Sequence, residues 1–140
     1  MSQVEKVKFL DKLKHFFEIS NLNSNDICVV GSSSLAALGI RQNKDIDLIC
    51  TPEIKQCLIK QLKENKIYGK IEIVNDNWSY FDESIDDSQI IEHQENHFIF
   101  CGIKFVSIKL LQDRKRSQGR PKDAVDLQLI EEYFDSKRNS

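Results

Sequence analysis

The sequence predicts a mixed α/β (α+β) domain, a mixed β-sheet flanked by helices and closed by a C-terminal helical segment. Three observations predict it. Apolar residues recur at helical spacing at both ends of the chain, and short apolar runs of strand length lie between them. Only five glycines and two prolines interrupt 140 residues, with no repeat, low-complexity tract or linker to divide them. Residues 1–140 therefore read as one domain.

Val4, Val7, Leu10, Leu13 and Phe17 place an amphipathic helix over residues 1–20, ending near Ile19. Lys6, Lys8, Lys12 and Lys14 read as its solvated face. Asn21 to Asn25 is a polar turn. Ile27-Cys28-Val29-Val30 reads as a strand buried on both faces, opening a sheet core over 27–106. Gly31 ends it, and Ser32 to Leu38 reads as a short helix with Gly39 just past its end. Asp45 to Leu48 alternates acidic and apolar residues as a strand does, with Ile49 and Cys50 as its extension. Thr51 or Pro52 starts a helix through about Lys63, carrying Ile54, Cys57, Leu58 and Leu62 on one face.

Ile67 to Val74 is a third strand, with Ile71 and Ile73 on one side and Glu72 and Val74 on the other. Asn75 to Ser88 gives no clear element. Ile90–His93, Phe98–Phe100 and Ile103–Val106 read as strand pieces, the last two joined by a tight turn at Cys101-Gly102. The C-terminal helices occupy 108–134. Ile108 to about Arg116 is the first, Gln118-Gly119 breaks it, and Pro121 to about Phe134 is the second, leaving 135–140 as a frayed tail.

Twenty basic and 22 acidic side chains give a net charge of −2, which argues against a protein whose task is to coat a nucleic-acid backbone. The four cysteines form no C-x-x-C pair and no zinc spacing; Cys28 and Cys101 lie in apolar runs and are expected as small buried hydrophobes. His93 and His97 fall in strand- and turn-like sequence, unsuited to a shared zinc. Trp78, Tyr80 and Phe81 read as a satellite hydrophobic cluster. No stretch has the apolar length of a membrane span or a signal peptide, so a reduced, soluble, cytoplasmic protein is expected.

The chemistry-bearing pattern is Val30-Gly31-Ser32, twelve residues, then Asp45-Ile46-Asp47-Leu48. On a strand, Asp45 and Asp47 share a face, roughly 6–7 Å apart. Carboxylates that close repel unless a cation lies between them, and hard oxygen ligands suit Mg²⁺ or Mn²⁺ shared with substrate phosphates. Gly31 permits close backbone approach, while the hydroxyls of Ser32, Ser33 and Ser34 add donors for an anion such as a triphosphate. Downstream, Lys115, Arg116, Arg120 and Lys122 are cations able to neutralise a triphosphate or leaving pyrophosphate. Alternatively, Lys122 and Asp126 form a surface i,i+4 contact, with Asp123 complementing the helix dipole.

This arrangement resembles the signature of the nucleotidyltransferase superfamily with the DNA polymerase β-like fold, including its small bacterial minimal and abortive-infection-type members. Phe105-Val106-Ser107, the Lys/Arg-rich helix after it, and Gly119-Arg120-Pro121-Lys122-Asp123 with Asp126 extend the likeness, which touches most of residues 27–130. The resemblance implies that Asp45 and Asp47 bind divalent metal and that Gly31 and Ser32 contact the phosphates of an NTP. It also implies a third carboxylate, for which Glu72 is the candidate and Asp76 the substitute. The expected activity is transfer of an NMP from an NTP to an acceptor hydroxyl, on a small molecule, an RNA end or a protein, with release of pyrophosphate. The competing expectation is a non-catalytic or regulatory module that keeps the fold, such as a nucleotide-binding or antitoxin-like partner protein.

Overall fold

The computed structural model describes residues 3–43, 45–64, 71–74 and 85–138. Helix α1 (Gln3–Ser20) leads into β1 (Ile27–Val30), the short α2 (Ser33–Ala37) and β2 (Ile46–Cys50). Then come α3 (Lys55–Glu64), β3 (Ile71–Ile73), α4 (Asp87–Glu92), β4 (His97–Phe100), β5 (Ile103–Val106), α5 (Ile108–Gln118) and α6 (Pro121–Arg138). The mixed α/β class predicted above is the one observed.

The strands form one sheet in the order β3-β2-β1-β5-β4. β1 is antiparallel to β2 and parallel to β5, β2 is parallel to β3, and β4 and β5 form an antiparallel hairpin. Its turn is Cys101-Gly102, where φ is positive at both residues (54° and 77°). All four residues of β1 are buried, as a central strand covered on both faces requires.

Two apolar layers sandwich the sheet. On one side Val29, Leu48 and Phe105 pack against Leu13, Phe16 and Leu58 of α1 and α3. On the other, Cys28, Val30, Ile49 and Val106 meet Leu35, Ile90, Leu111 and Ile130 from α2, α4, α5 and α6. Strand alternation therefore sends Asp47, like Ile49, to the side covered by the C-terminal helices.

The structure differs from the sequence reading at several points. Ile90 and Ile91 belong to a helix, because Asp86 accepts a hydrogen bond from the Gln89 N–H while Gln89 Oε1 accepts one from the Asp86 N–H. This reciprocal cap satisfies the first turn, and both isoleucines are buried. Helix α6 continues through residues 135–138, where Arg138 pairs with Asp135, so those residues are no frayed tail. Helix α5 runs to Gln118 and stops at Gly119, whose φ of +60° gives the left-handed cap that returns its N–H to Lys115 O at 3.0 Å. Cys28 is buried as expected, but Cys101 is exposed because the hairpin turn projects it from the sheet. Asp76, Trp78, Tyr80, Phe81 and the predicted strand start at Ile67 lie outside the described residues.

Candidate functional site

The antiparallel register of β1 on β2 brings the two halves of the sequence pattern together. Val30, the last residue of β1, lies opposite Asp47, so the chain leaves β1 through Gly31-Ser32 beside the start of β2. Gly31 has φ +74°, a conformation that side-chain-bearing residues rarely adopt, and it turns the chain sharply into α2.

A cavity of about 240 Å³ opens at this point, lined by Gly31, Ser32, Asp45 and Asp47 on one side. Its opposite wall comes from Leu111, Arg114, Lys115 and Gln118 of α5 together with Arg120 and Lys122. Asn43 completes the lining. Asp45 sits exposed just before β2, and Asp47 is half-buried within it. The site thus sets two carboxylates and a Gly-Ser turn against a wall of cations. It joins the sheet to residues about 70 to 90 positions further along the chain.

Of the site residues predicted from the sequence, Gly31, Ser32, Asp45, Asp47, Lys115, Arg120 and Lys122 line this cavity, and Arg116 does not. Nor do Ser33 and Ser34. Both are fully buried, and their hydroxyls serve the scaffold. Ser34 Oγ donates to Val106 O at 2.8 Å, tying α2 to β5. Ser33 Oγ accepts from Asn43 Nδ2 at 2.9 Å and lies 3.4 Å from Asp45 O. Glu72 lies directly opposite Asp47 in the parallel register of β2 and β3, exposed on the same face of the sheet, but outside the cavity lining. Among the described residues no three His, Cys, Asp or Glu side chains converge into a closed metal cage. His93 lies by Glu95 on the surface, and His97 is buried with Nδ1 2.6 Å from Ile90 O, where only a protonated Nδ1 makes a hydrogen bond.

Behind the cation wall lies a buried ionic cluster, and here the expected surface roles of Asp123 and Asp126 are corrected. Both carboxylates are buried, because α6 turns the stripe Asp123, Asp126 and Ile130 inward. Lys115, equally buried, places Nζ 2.8 Å from Asp126 Oδ2, 3.6 Å from Asp123 Oδ1 and 3.1 Å from Ser32 Oγ. Asp126 takes a two-pronged bond from Arg41, with Nε at 2.6 Å and Nη2 at 2.8 Å, rather than a contact with Lys122. Asp123 accepts from the Arg120 side chain at 2.8 and 3.1 Å and from the Arg120 backbone N–H. The Arg120 hydrogen bonds outweigh burial and bring the Asp123 carboxyl down to about 2. Burial pushes the Asp126 carboxyl up, but the hydrogen bonds from Arg41 and Lys115 prevail and hold it below the ordinary carboxylate range. Both acids are therefore ionised at neutral pH, and Lys115 bridges them to the Gly-Ser turn.

Sequence reasoning missed Arg114, Asn43, Gln118 and Arg41. A signal for the first and third was present: Leu111, Arg114, Lys115 and Gln118 follow the i, i+3, i+4, i+7 spacing of one helix face.

Comparison with family models, with curated proteins and with solved structures gives no match for this chain.

Proposed function

We propose that the chain is a divalent-metal-dependent nucleotidyltransferase of the DNA polymerase β-like type, which moves an NMP from an NTP to an acceptor hydroxyl. One observation carries the reading: Asp45 and Asp47 share a single cavity with Gly31-Ser32 and with four cationic side chains. Two all-oxygen acids facing one polar cavity fit Mg²⁺ or Mn²⁺, which retain several positions for water and phosphate oxygens rather than requiring a closed protein cage. Bound there, the metal would supply Lewis-acid neutralisation of the phosphates.

The chain's own residues then take the following parts. Asp45 and Asp47 hold the cation. Gly31 leaves room for the polyphosphate to approach the backbone, and Ser32 Oγ, aligned by Lys115 Nζ at 3.1 Å, meets a phosphate oxygen. The acceptor oxygen bonds to the α-phosphorus as the bond to the bridging oxygen breaks, and that electron pair leaves with pyrophosphate. Arg114, Arg120 and Lys122 face the charge that develops on the leaving group. Glu72, opposite Asp47 on the neighbouring strand, is the candidate to receive the acceptor's proton, which places the acceptor on the β3 side. About 240 Å³ is smaller than the roughly 300–1,000 Å³ of pockets that enclose whole ligands. The described cavity thus suits the polyphosphate, with base and acceptor held beyond it. The acceptor class remains a small molecule, an RNA end or a protein hydroxyl.

The position of Glu72 outside the lining favours a second reading, a nucleotide-binding module that acts through a partner protein without transfer. One experiment separates them. The protein is incubated with each NTP carrying a labelled α-phosphate, Mn²⁺, and RNA, protein and small-molecule fractions as acceptors. The enzyme reading expects label in one fraction with stoichiometric pyrophosphate, lost in Asp45→Asn and Asp47→Asn proteins that still fold. Transfer undiminished in both variants rejects the mechanism. NTP binding with no transfer in any fraction favours the module.

A further inference from the structure

The stretch between α2 and β2 carries Asp45, yet Arg41, Gln42, Asn43 and Asp45 all lie outside helix and strand. Residues without a backbone ladder keep their place through side-chain bonds, and here those bonds are specific. Asn43 Nδ2 donates to Asp45 O at 2.6 Å and to Ser33 Oγ at 2.9 Å, fastening the segment to α2. Arg41 fastens it to α6 through both oxygens of Asp126, and Arg41 Nη1 also donates to Gln42 O at 2.8 Å. Asp126 simultaneously binds Lys115, which reaches Ser32. One buried carboxylate on α6 therefore anchors both sides of the cavity: the acid-bearing segment through Arg41 and the Gly-Ser turn through Lys115. Arg41 itself does not line the cavity, so its influence on anything bound there passes through these neighbours.

We propose that Arg41 is a positioning residue for the Asp45/Asp47 pair, fixing through Asp126 the separation between the metal-binding acids and the phosphate-binding turn. The inference rests on the nucleotidyltransferase reading and goes beyond it, since no feature of the sequence pattern includes Arg41. A planar guanidinium matched to two carboxylate oxygens holds angle as well as distance, which a lysine ammonium does not. Arg41 is a third exposed at its side chain (33%), whereas Asp126 is buried at 5%, and removing the arginine leaves Asp126 still paired with Lys115.

The test uses the full chain and its Arg41→Gln and Arg41→Lys variants. Mn²⁺ alone, and then Mn²⁺ with a non-hydrolysable NTP, is titrated calorimetrically. Amide hydrogen exchange is followed in the metal-free protein at Arg41–Asn43, Ile46 and Asp47. Partners that orient metal ligands change affinity about 10- to 100-fold when removed, so Arg41→Gln is expected to weaken Mn²⁺ binding about tenfold or more. Arg41→Lys recovers only part of it. Exchange accelerates at the named amides and stays unchanged in β4 and β5. Wild-type Mn²⁺ affinity and wild-type exchange in Arg41→Gln overturn the proposal, as does full recovery by lysine. If the wild-type protein binds no Mn²⁺, the metal reading has failed. The exchange data alone then decide whether Arg41 positions the segment: acceleration confined to the named amides upholds it, and none refutes it.

Discussion

Asp123 offers a direct check on the buried ionic cluster. Its carboxyl falls from 3.8 to about 2 in the folded protein, because Arg120 donates three hydrogen bonds to it and Lys115 lies 3.6 Å away. A depressed carboxyl contributes stability above its unfolded value and loses it as pH falls through its folded value. The drop corresponds to about 2 kcal/mol at pH 7, at 1.36 kcal/mol per unit. By the same linkage it shrinks to about 1 kcal/mol at pH 3 and nearly vanishes by pH 2. Asp123→Asn has nearly the same volume and no charge, so it removes this pH-dependent contribution, and its amide NH₂, set against the Arg120 and Lys115 donors, adds a cost that does not vary between pH 7 and 3. Urea denaturation of wild type and variant at pH 7, 5, 4 and 3 should show a gap of at least about 2 kcal/mol at the first two values that narrows below pH 4. A gap that is constant from pH 7 to 3, or absent at pH 7, would falsify the claim that Asp123 is ionised and held by Arg120.

Two further predictions concern backbone and thiols. Gly119→Ala should cost about 1 kcal/mol in the same denaturation assay, since φ is +60° while the nearest atom to an added Cβ is Arg116 O at 3.9 Å; the penalty is conformational rather than steric. A larger loss would place an unseen clash at the end of α5. In the native protein iodoacetamide should label Cys57 and Cys101 and spare Cys28 and Cys50, all four reacting after denaturation, as read by intact mass. Burial raises the thiol pKa at both protected positions, which slows thiolate formation as well as access. Rapid native labelling of Cys28 would contradict its place in the central strand.

The sheet was legible where local pattern and burial agree. Ile27–Val30 is apolar throughout because β1 has neighbours on both edges and helices on both faces, and the Gly-Ser to Asp-x-Asp spacing survives as a register opposite Val30. Legibility failed where a short apolar pair fits two elements. Ile90-Ile91 suits a strand or one helical turn, and Asp86 with Gln89, a capping box in plain view, settles it as helix. The ionic cluster was misread for a different reason. Asp123 and Asp126 look solvent-bound until their spacing is extended to Ile130, which marks the stripe as inward-facing. Arg41 carried no local signal at all, since its partner is 85 residues away and only the tertiary fold pairs them.

The central position of β1 has a consequence for the order of assembly. Its second neighbour, β5, begins 73 residues after β1 ends, by the strand bounds Val30 and Ile103. A nascent chain can zip β1 onto β2 early, but must leave the other edge of β1 bare until the β4–β5 hairpin has emerged from the ribosome. Loop closure over such a distance slows folding, and a fully apolar strand with an open edge invites pairing with other chains meanwhile. The yield of folded protein should therefore respond to synthesis rate and to chaperones that cover this one edge.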